Sequence, residues 1–275
     1  MRRILPFILG FIITSAVLIV VVLGFIVVTA PDHYNVLFVG SDQRGTERAR
    51  SDVLFVVSVP KSSNKQPYFL TIPRDTYIEH EEWGMQKMTH FYALGERPDD
   101  EKALGNIELT RSVIEELLDI KVDATVEVTF QSFEEIINTL GGAVLEGQVV
   151  DGPAALAVVR DRFTGDRSDF DRQADAREIL RSLVTKIKKP STVKSLLAYF
   201  NDAEQARLDY GKTKLIYFLV GAGISRKGQV SIGEMEEEAL PGYGDRIYTP
   251  DFGKELYYWI PDEEAIVEIM QQHFK

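Results

Sequence analysis

From Ile4 to Val28 the chain carries no Asp, Glu, Lys or Arg, and its single proline is Pro6. A helix over that run would be roughly 37 Å long, enough to cross a hydrocarbon core of roughly 30 Å. Such a segment has no place inside a small packed domain. It divides the sequence into a cytoplasmic stub (1–3), a transmembrane anchor (4–30) and an exported remainder (31–275). Arg2 and Arg3 precede the run and Pro31-Asp32 follow it, so the positive-inside bias keeps the short N-terminus in the cytoplasm and places the rest outside the cell membrane. Val28-Thr29-Ala30 would also suit a signal-peptide cleavage site. The apolar run exceeds the roughly 7 to 15 residues of a signal h-region, which favours a retained single-pass anchor.

About 245 residues follow Ala30, within the range of one α/β unit. The chain has no cysteine, which excludes disulfide stapling and thiol chemistry and leaves stability to packing. A net charge of −11 and a pI near 5.0, with no Lys/Arg tract, argue against nucleic acid as a partner.

Three apolar runs, 34–39, 53–59 and 68–72, read as strands whose continuous apolarity implies cover on both faces. Ser62-Ser63-Asn64-Lys65 reads as the turn of a hairpin between the second and third. A helix is expected over about 102–118, a strand over 124–129, and a helix through Phe133, Ile136, Ile137 and Leu140 that stops at Gly141-Gly142. Asp151-Gly152-Pro153 has the form of a capped helix start. Further helices are expected over about 171–189, 192–199, 214–219 and 262–274, with Lys186, Lys188 and Lys189 complementing the C-terminal dipole of the first of these.

On this scaffold stands a set of paired charges. Asp42 follows one strand and Asp52 precedes the next, so a connecting loop can bring both carboxylates to one sheet edge. Two hard oxygen ligands suit Mg²⁺ or Mn²⁺ completed by water and phosphate, although aspartates beside strands also serve as caps and turn formers. His33, His80, His90 and His273 lack ligand spacing, which argues against zinc. Arg74, held by Pro73 just past the third strand, offers a planar fork for phosphate oxygens, and Asp75 can orient it; a surface pair closing a turn is the plainer alternative. Arg160 and Arg162 follow an Ala-rich helix, where an extended Arg-x-Arg would point both side chains one way, and Arg172 opens another helix. Interleaving with Asp161, Asp166, Asp169 and Asp171 is equally compatible with a solvated charge run. There is no nucleophile elbow and no Walker loop, so covalent catalysis is not signalled and phosphoryl transfer, driven by positioning and charge neutralisation, remains.

The succession Gly40-Ser41-Asp42-Gln43-Arg44, Arg50-Ser51-Asp52-Val53-Leu54, Thr71-Ile72-Pro73-Arg74-Asp75-Thr76, Lys87-Met88-Thr89-His90-Phe91-Tyr92, Leu140-Gly141-Gly142 and 155–162 (ALAVVRDR) resembles the LytR-CpsA-Psr proteins of bacterial envelopes. The resemblance spans the whole exported part. It implies a three-layer α/β/α domain with a mixed central sheet, acting as a Mg²⁺-dependent phosphotransferase. Such proteins move a glycopolymer from a polyprenyl diphosphate carrier to peptidoglycan, building wall teichoic acid or capsule. By position, Asp42 and Asp52 would hold the metal, and Arg44, Arg74, Arg160, Arg162 and Arg172 the diphosphate. Asp75 would steady Arg74, Asp52 would be the first candidate for the base, and apolar residues of the sheet and helices would house the lipid. The chain departs from the family pattern at Asp175 and Ala176, where an arginine and a glutamine are usual, and in a short stretch between Gly142 and Asp151. Those departures support a second reading, a lipid-precursor-binding regulator of the envelope; a polyprenyl diphosphate hydrolase, with water in place of the sugar hydroxyl, is a third.

Overall fold

The three N-terminal apolar runs do form neighbouring strands, β1 (His33–Ser41), β2 (Ser51–Pro60) and β3 (Tyr68–Thr71). They belong to a computed structural model that describes residues 21, 24–26, 28–42, 50–62, 64–95, 105–160, 175, 178–179, 181–183, 186, 190–225 and 235–275. β1 pairs antiparallel with β2, and β2 with β3 through the expected turn. β6 (Ala124–Thr129) lies parallel to β1, β9 (Ala206–Tyr210) antiparallel to β6, and β10 (Glu236–Ala239) parallel to β3. The result is a mixed six-stranded sheet in the order β10-β3-β2-β1-β6-β9. Three two-stranded ribbons accompany it: β4 (Tyr77–His80) with β5 (Gly84–Lys87), β7 (Ala143–Leu145) with β8 (Gln148–Val150), and β11 (Gly242–Thr249) with β12 (Lys254–Pro261).

Alternation along the strands explains the two covered faces. One face presents Leu37, Val39, Leu54, Val56, Leu70 and Ile72 to helix α1 (Ile107–Leu118) and to the closing helix, whose Ile266 and Met270 complete the cluster. The other carries Phe38, Phe55 and Phe69, stacked with ring centroids 4.6 and 4.4 Å apart. Beside this row, Tyr34 and Ala124 pack under Phe218 and Ala222 of the helix Lys212–Ser225.

Helix α2 (Phe130–Thr139) begins where the Thr129 side chain accepts from Ser132 N, and it stops at Gly141 and Gly142, whose φ values of 75° and 89° suit glycine. Lys186 Nζ donates to the carbonyls of Leu140, Gly141 and Gly142 at 3.3, 3.0 and 2.6 Å. The lysine expected to serve its own helix therefore closes the C-terminus of the neighbouring one. The short stretch after Gly142 is a tight hairpin, β7 to β8, turning on Glu146 and Gly147 with φ of 50° and 73°. Asp151 Oδ1 accepts from Ala154 N at 3.0 Å at the start of α3 (Gly152–Arg160), as its sequence suggested.

Helices α4 (Pro190–Asp202), α5 (Lys212–Ser225) and α6 (Glu263–His273) follow later in the chain. Of the helix expected over 171–189, the described members 175, 178–179, 181–183 and 186 are helical. Among the described residues no helix is long and apolar enough to cross a membrane, and the run 4–28 lies mostly outside them.

At the base of the sheet His33 is buried, with Nδ1 2.9 Å from Ser58 Oγ and Nε2 3.5 Å from Lys65 Nζ. Burial first, then the Lys65 charge, push this imidazole down to about 4. A histidine so lowered lets the unfolded chain take up the proton first, so its contribution to stability is present above about 6.5 and is lost as pH falls toward 4. Thermal denaturation followed across that window should show stability declining with a slope approaching about 1.4 kcal/mol per pH unit. His33→Asn should flatten the decline; identical slopes in parent and variant would assign it elsewhere.

Candidate functional site

The β2–β3 ladder fixes the first pair of charges. Phe55 faces Thr71, and Ile72 N donates to Leu54 O at 2.9 Å, so the next positions on the same face put Asp52 across from Arg74. Arg74 Nη1 donates to Asp52 Oδ1 at 2.8 Å. On the other side of β2, a register shift at Gly40/Ser41 brings Ser41 opposite Ser51. Asp42 N then donates to Arg50 O at 3.3 Å, and Asp42 Oδ1 accepts from Arg50 N at 2.9 Å, clasping the ends of the intervening loop. A Cβ on Gly40 would come within 3.1 Å of Val53 Cβ, so the glycine permits this close approach.

The backbone of Arg74 is held from both sides. Thr76 N and Thr76 Oγ1 both donate to Pro73 O, at 3.0 and 2.6 Å, and Thr89 N donates to Arg74 O at 3.0 Å. Asp75 Oδ2 lies 3.7 Å from Arg74 Nε, while Asp75 Oδ1 accepts from Lys87 Nζ at 2.7 Å. Charges thus alternate along Asp52, Arg74, Asp75 and Lys87. All four are partly shielded, with side chains 20, 37, 28 and 16% exposed. Lys87 Nζ also sits 5.2 Å over the ring of Tyr258. His90 Nδ1 lies 2.8 Å from Gln86 Oε1, and burial, followed by the charges of Arg50 and Lys87, lowers the imidazole below its ordinary value. This imidazole is therefore neutral near pH 7 and adds no charge to the row.

Of the residues singled out in the sequence, Asp42, Asp52, Arg74 and Asp75 stand at one end of the β1-β2-β3 ladder. Arg44, Arg162 and Arg172 lie outside the described residues, as does the side chain of Arg160. The backbone of Arg160 is the last of α3, not extended as expected, because the Ala-rich helix runs through it. Asp175 is helical and buried. Lys87 received no role from its sequence; its place in Lys87-Met88-Thr89-His90 was the available signal, and only the β4–β5 ribbon shows that it reaches Asp75. Glu127, one letter in an apolar strand, is 1% exposed and accepts from Tyr92 Oη at 3.0 Å beside Val39.

Two carboxylates at this edge would suit a divalent cation that brings most of its own ligands. Among the described residues no three His, Asp or Glu side chains converge on a metal position. Asp42 and Asp52 each have one oxygen engaged, by Arg50 N and by Arg74. If both carboxylates serve one cation, it would be one that keeps most of its own water and takes phosphate as its remaining ligand, such as Mg²⁺ or Mn²⁺.

The sheet with its covered faces and strand-end charges defines a mixed α/β domain with a mixed central sheet. The sequence model of the LytR_cpsA_psr family matches residues 25–147 and 145–275, and the chain belongs to that family. The polyisoprenyl-teichoic acid–peptidoglycan teichoic acid transferase TagU of Bacillus subtilis is 27% identical over 257 residues, covering 88% of this chain and 77% of the relative. The structure of TagT bound to LIIa-WTA superposes with a TM-score of 0.63 at 26% identity, over 88% of this chain and 89% of TagT. A protein named transcriptional regulator from Enterococcus faecalis shares the fold, with a TM-score of 0.64 at 21% identity over 90% of this chain and 87% of that one.

Because the Asp52–Arg74 pair is partly open to solvent, Arg74→Ala should change stability in urea by about 1 kcal/mol or less. A larger loss would make the pair a structural bolt and cloud any functional reading of the variant.

Proposed function

We propose that this chain is a membrane-anchored phosphotransferase that moves a glycopolymer from a polyprenyl diphosphate carrier to peptidoglycan. The observation that carries this reading is the ordered row Asp52, Arg74, Asp75, Lys87 at the sheet edge of a family member whose relatives include a teichoic acid transferase. In this reading an N-terminal helix over 4–30 anchors the protein in the cell membrane, with residues 31–275 outside. The lipid is housed by apolar residues of the sheet and its covering helices on the Phe38-Phe55-Phe69 side, where nine residues of β1 run about 30 Å back toward the anchor.

The acceptor hydroxyl oxygen forms a bond to the glycan-side phosphorus, and the bond from that phosphorus to the bridging oxygen breaks. The products are a glycan–peptidoglycan phosphodiester and polyprenyl phosphate, and the hydroxyl proton passes to the Asp52 carboxylate. Arg74 supplies the planar fork for phosphate oxygens, aimed by Asp75, which Lys87 holds in turn. Arg44, Arg160, Arg162 and Arg172 add the remaining positive charge that a diphosphate requires. Mg²⁺, held by Asp42 and Asp52, would neutralise charge on the phosphates when bound.

The full chain in detergent, given a diphosphate-linked glycan, peptidoglycan and Mg²⁺, should release polyprenyl phosphate and label the acceptor. Asp52→Ala and Arg74→Ala should each lower the rate about 10²- to 10³-fold, and full activity in both would remove the assignment. Chelation should stop turnover, with Mg²⁺ or Mn²⁺ restoring it; a rate indifferent to chelator would remove the metal. Asp175, a buried acid where the family usually has arginine, favours a second reading as a lipid-precursor-binding regulator. Tight lipid binding without turnover would select it, and transfer to water alone would select hydrolysis.

A further inference from the structure

The ribbon β11–β12 is fastened to the reactive edge at its root, where Trp259 packs against the main core and its Nε1 donates to Leu240 O at 3.0 Å, and beyond that root the face carrying Tyr257 and Tyr248 is exposed. Trp259 N donates to Asp75 O at 2.9 Å, and Thr76 bridges Trp259 in parallel. The inward face carries Tyr258, 1% exposed, which meets Tyr77 edge-on at 5.7 Å and bonds Thr249 through its hydroxyl at 3.0 Å. Register assigns the other face: Tyr248 faces Glu255, Arg246 faces Tyr257, and Gly244 faces Trp259. Tyr257 and Tyr248 are therefore diagonal neighbours on that face, and they are 44 and 59% exposed. The Tyr257 ring folds down over Gly244, where an added Cβ would come within 2.5 Å of its hydroxyl and 2.6 Å of a ring carbon. The face therefore offers two separate exposed aromatic rings, with Arg246 across from Tyr257 and Glu255 across from Tyr248 as hydrogen-bonding neighbours.

We infer that this outer face of β11–β12 holds a glycan strand of the acceptor, the sugar rings stacking through their C–H faces on Tyr257 and Tyr248. The inference rests on the transferase reading and names the partner of the same site. Two observations select this occupant. Trp259, at the ribbon's root, packs into the α1 and α6 side of the sheet, whereas the stacked phenylalanines suited to the lipid occupy the opposite side. An in-line displacement needs attacking and leaving oxygens on opposite sides of phosphorus, so an acceptor delivered from the ribbon meets a lipid phosphate departing on the other side. The ribbon also roots at the end of β1 away from Ala30, about 30 Å from where the anchor would enter, which disfavours a bilayer as the partner of its tyrosines.

The test titrates peptidoglycan glycan strands, stripped of peptide, against the full chain in detergent, without donor. The double variant Tyr248→Ala/Tyr257→Ala should weaken binding at least about tenfold, whereas the Phe counterparts should retain it. Gly244→Ala, which displaces the Tyr257 ring without removing an aromatic group, should also weaken it. Release of polyprenyl phosphate to water, measured without acceptor, should be unchanged in these variants. Equal glycan binding by parent and double variant would overturn the inference, as would a matching loss of donor turnover, which would assign the rings to the donor's glycan. Tyrosine-dependent binding to phosphatidylglycerol vesicles in place of glycan would also overturn it. Because glycan binding is read without turnover, it should persist in Arg74→Ala; an inactive parent that still binds glycan through the tyrosines would overturn the transferase reading and leave the glycan surface standing.

Discussion

The arrangement of charge at this site depends on the β2–β3 ladder, because one register decides both what is buried and what meets at the edge. With Phe55 opposite Thr71, Leu54 and Ile72 enter the core together, and the next positions on the same face are Asp52 and Arg74. A slip by one residue would turn Leu54 and Val56 out of the core and separate the ion pair in the same step. Core burial worth roughly 2 kcal/mol for each large aliphatic side chain thus enforces a contact worth far less by itself. The charge pair is held by the hydrophobic pattern behind it, which is why it can remain partly exposed.

The source of positive charge at this edge is narrower than the topology suggests. Parallel pairing of β1 with β6 places Thr129, the cap of α2, beside Ser41, so a helix N-terminus opens next to Asp42. Its capping groups are engaged locally, since Thr129 Oγ1 accepts from Ser132 N and Ser132 Oγ lies 2.8 Å from Thr129 N. Arginine and lysine side chains must therefore supply most of the local positive field in a chain whose net charge is −11. Lys87 is the clearest case, because it compensates Asp75 and leaves Arg74 with less than a full neutralising partner on that side.

Strand runs were legible wherever both faces are covered: 34–39, 53–59, 68–72 and 124–129 are apolar almost throughout, and each is a strand. β9, the sheet edge, was not legible, because Ala206-Arg207-Leu208-Asp209-Tyr210 lacks a clear apolar run and owes its conformation to pairing with β6. The ribbon β4–β5 was hidden for a related reason, while β11–β12 was legible only as strand-like runs in the tail after Gln229, and the turn expected at Pro241-Gly242-Tyr243-Gly244 is instead the start of β11. Asp42, Asp52, Arg74 and Asp75 could be found from sequence because they sit within a few positions of strand ends. Lys87 and Trp259 could not, because what joins them to Asp75 is tertiary: a ribbon folded back in one case and a single backbone bond in the other.

That backbone bond gives Asp75 two separate tasks. Its carboxylate lies between Arg74 and Lys87, while its carbonyl holds Trp259 at the root of the aromatic ribbon. A substitution such as Asp75→Asn changes only the first, since every residue keeps its carbonyl. The ribbon's attachment is thereby independent of the charge chemistry, and glycan capture can be altered by side chains on β11 and β12 without disturbing the Arg74 cluster. On the proposed reading, this separation lets a single sheet edge accept different polymers or acceptors by changing the exposed face of one ribbon, while the diphosphate grip stays fixed by the ladder beneath it.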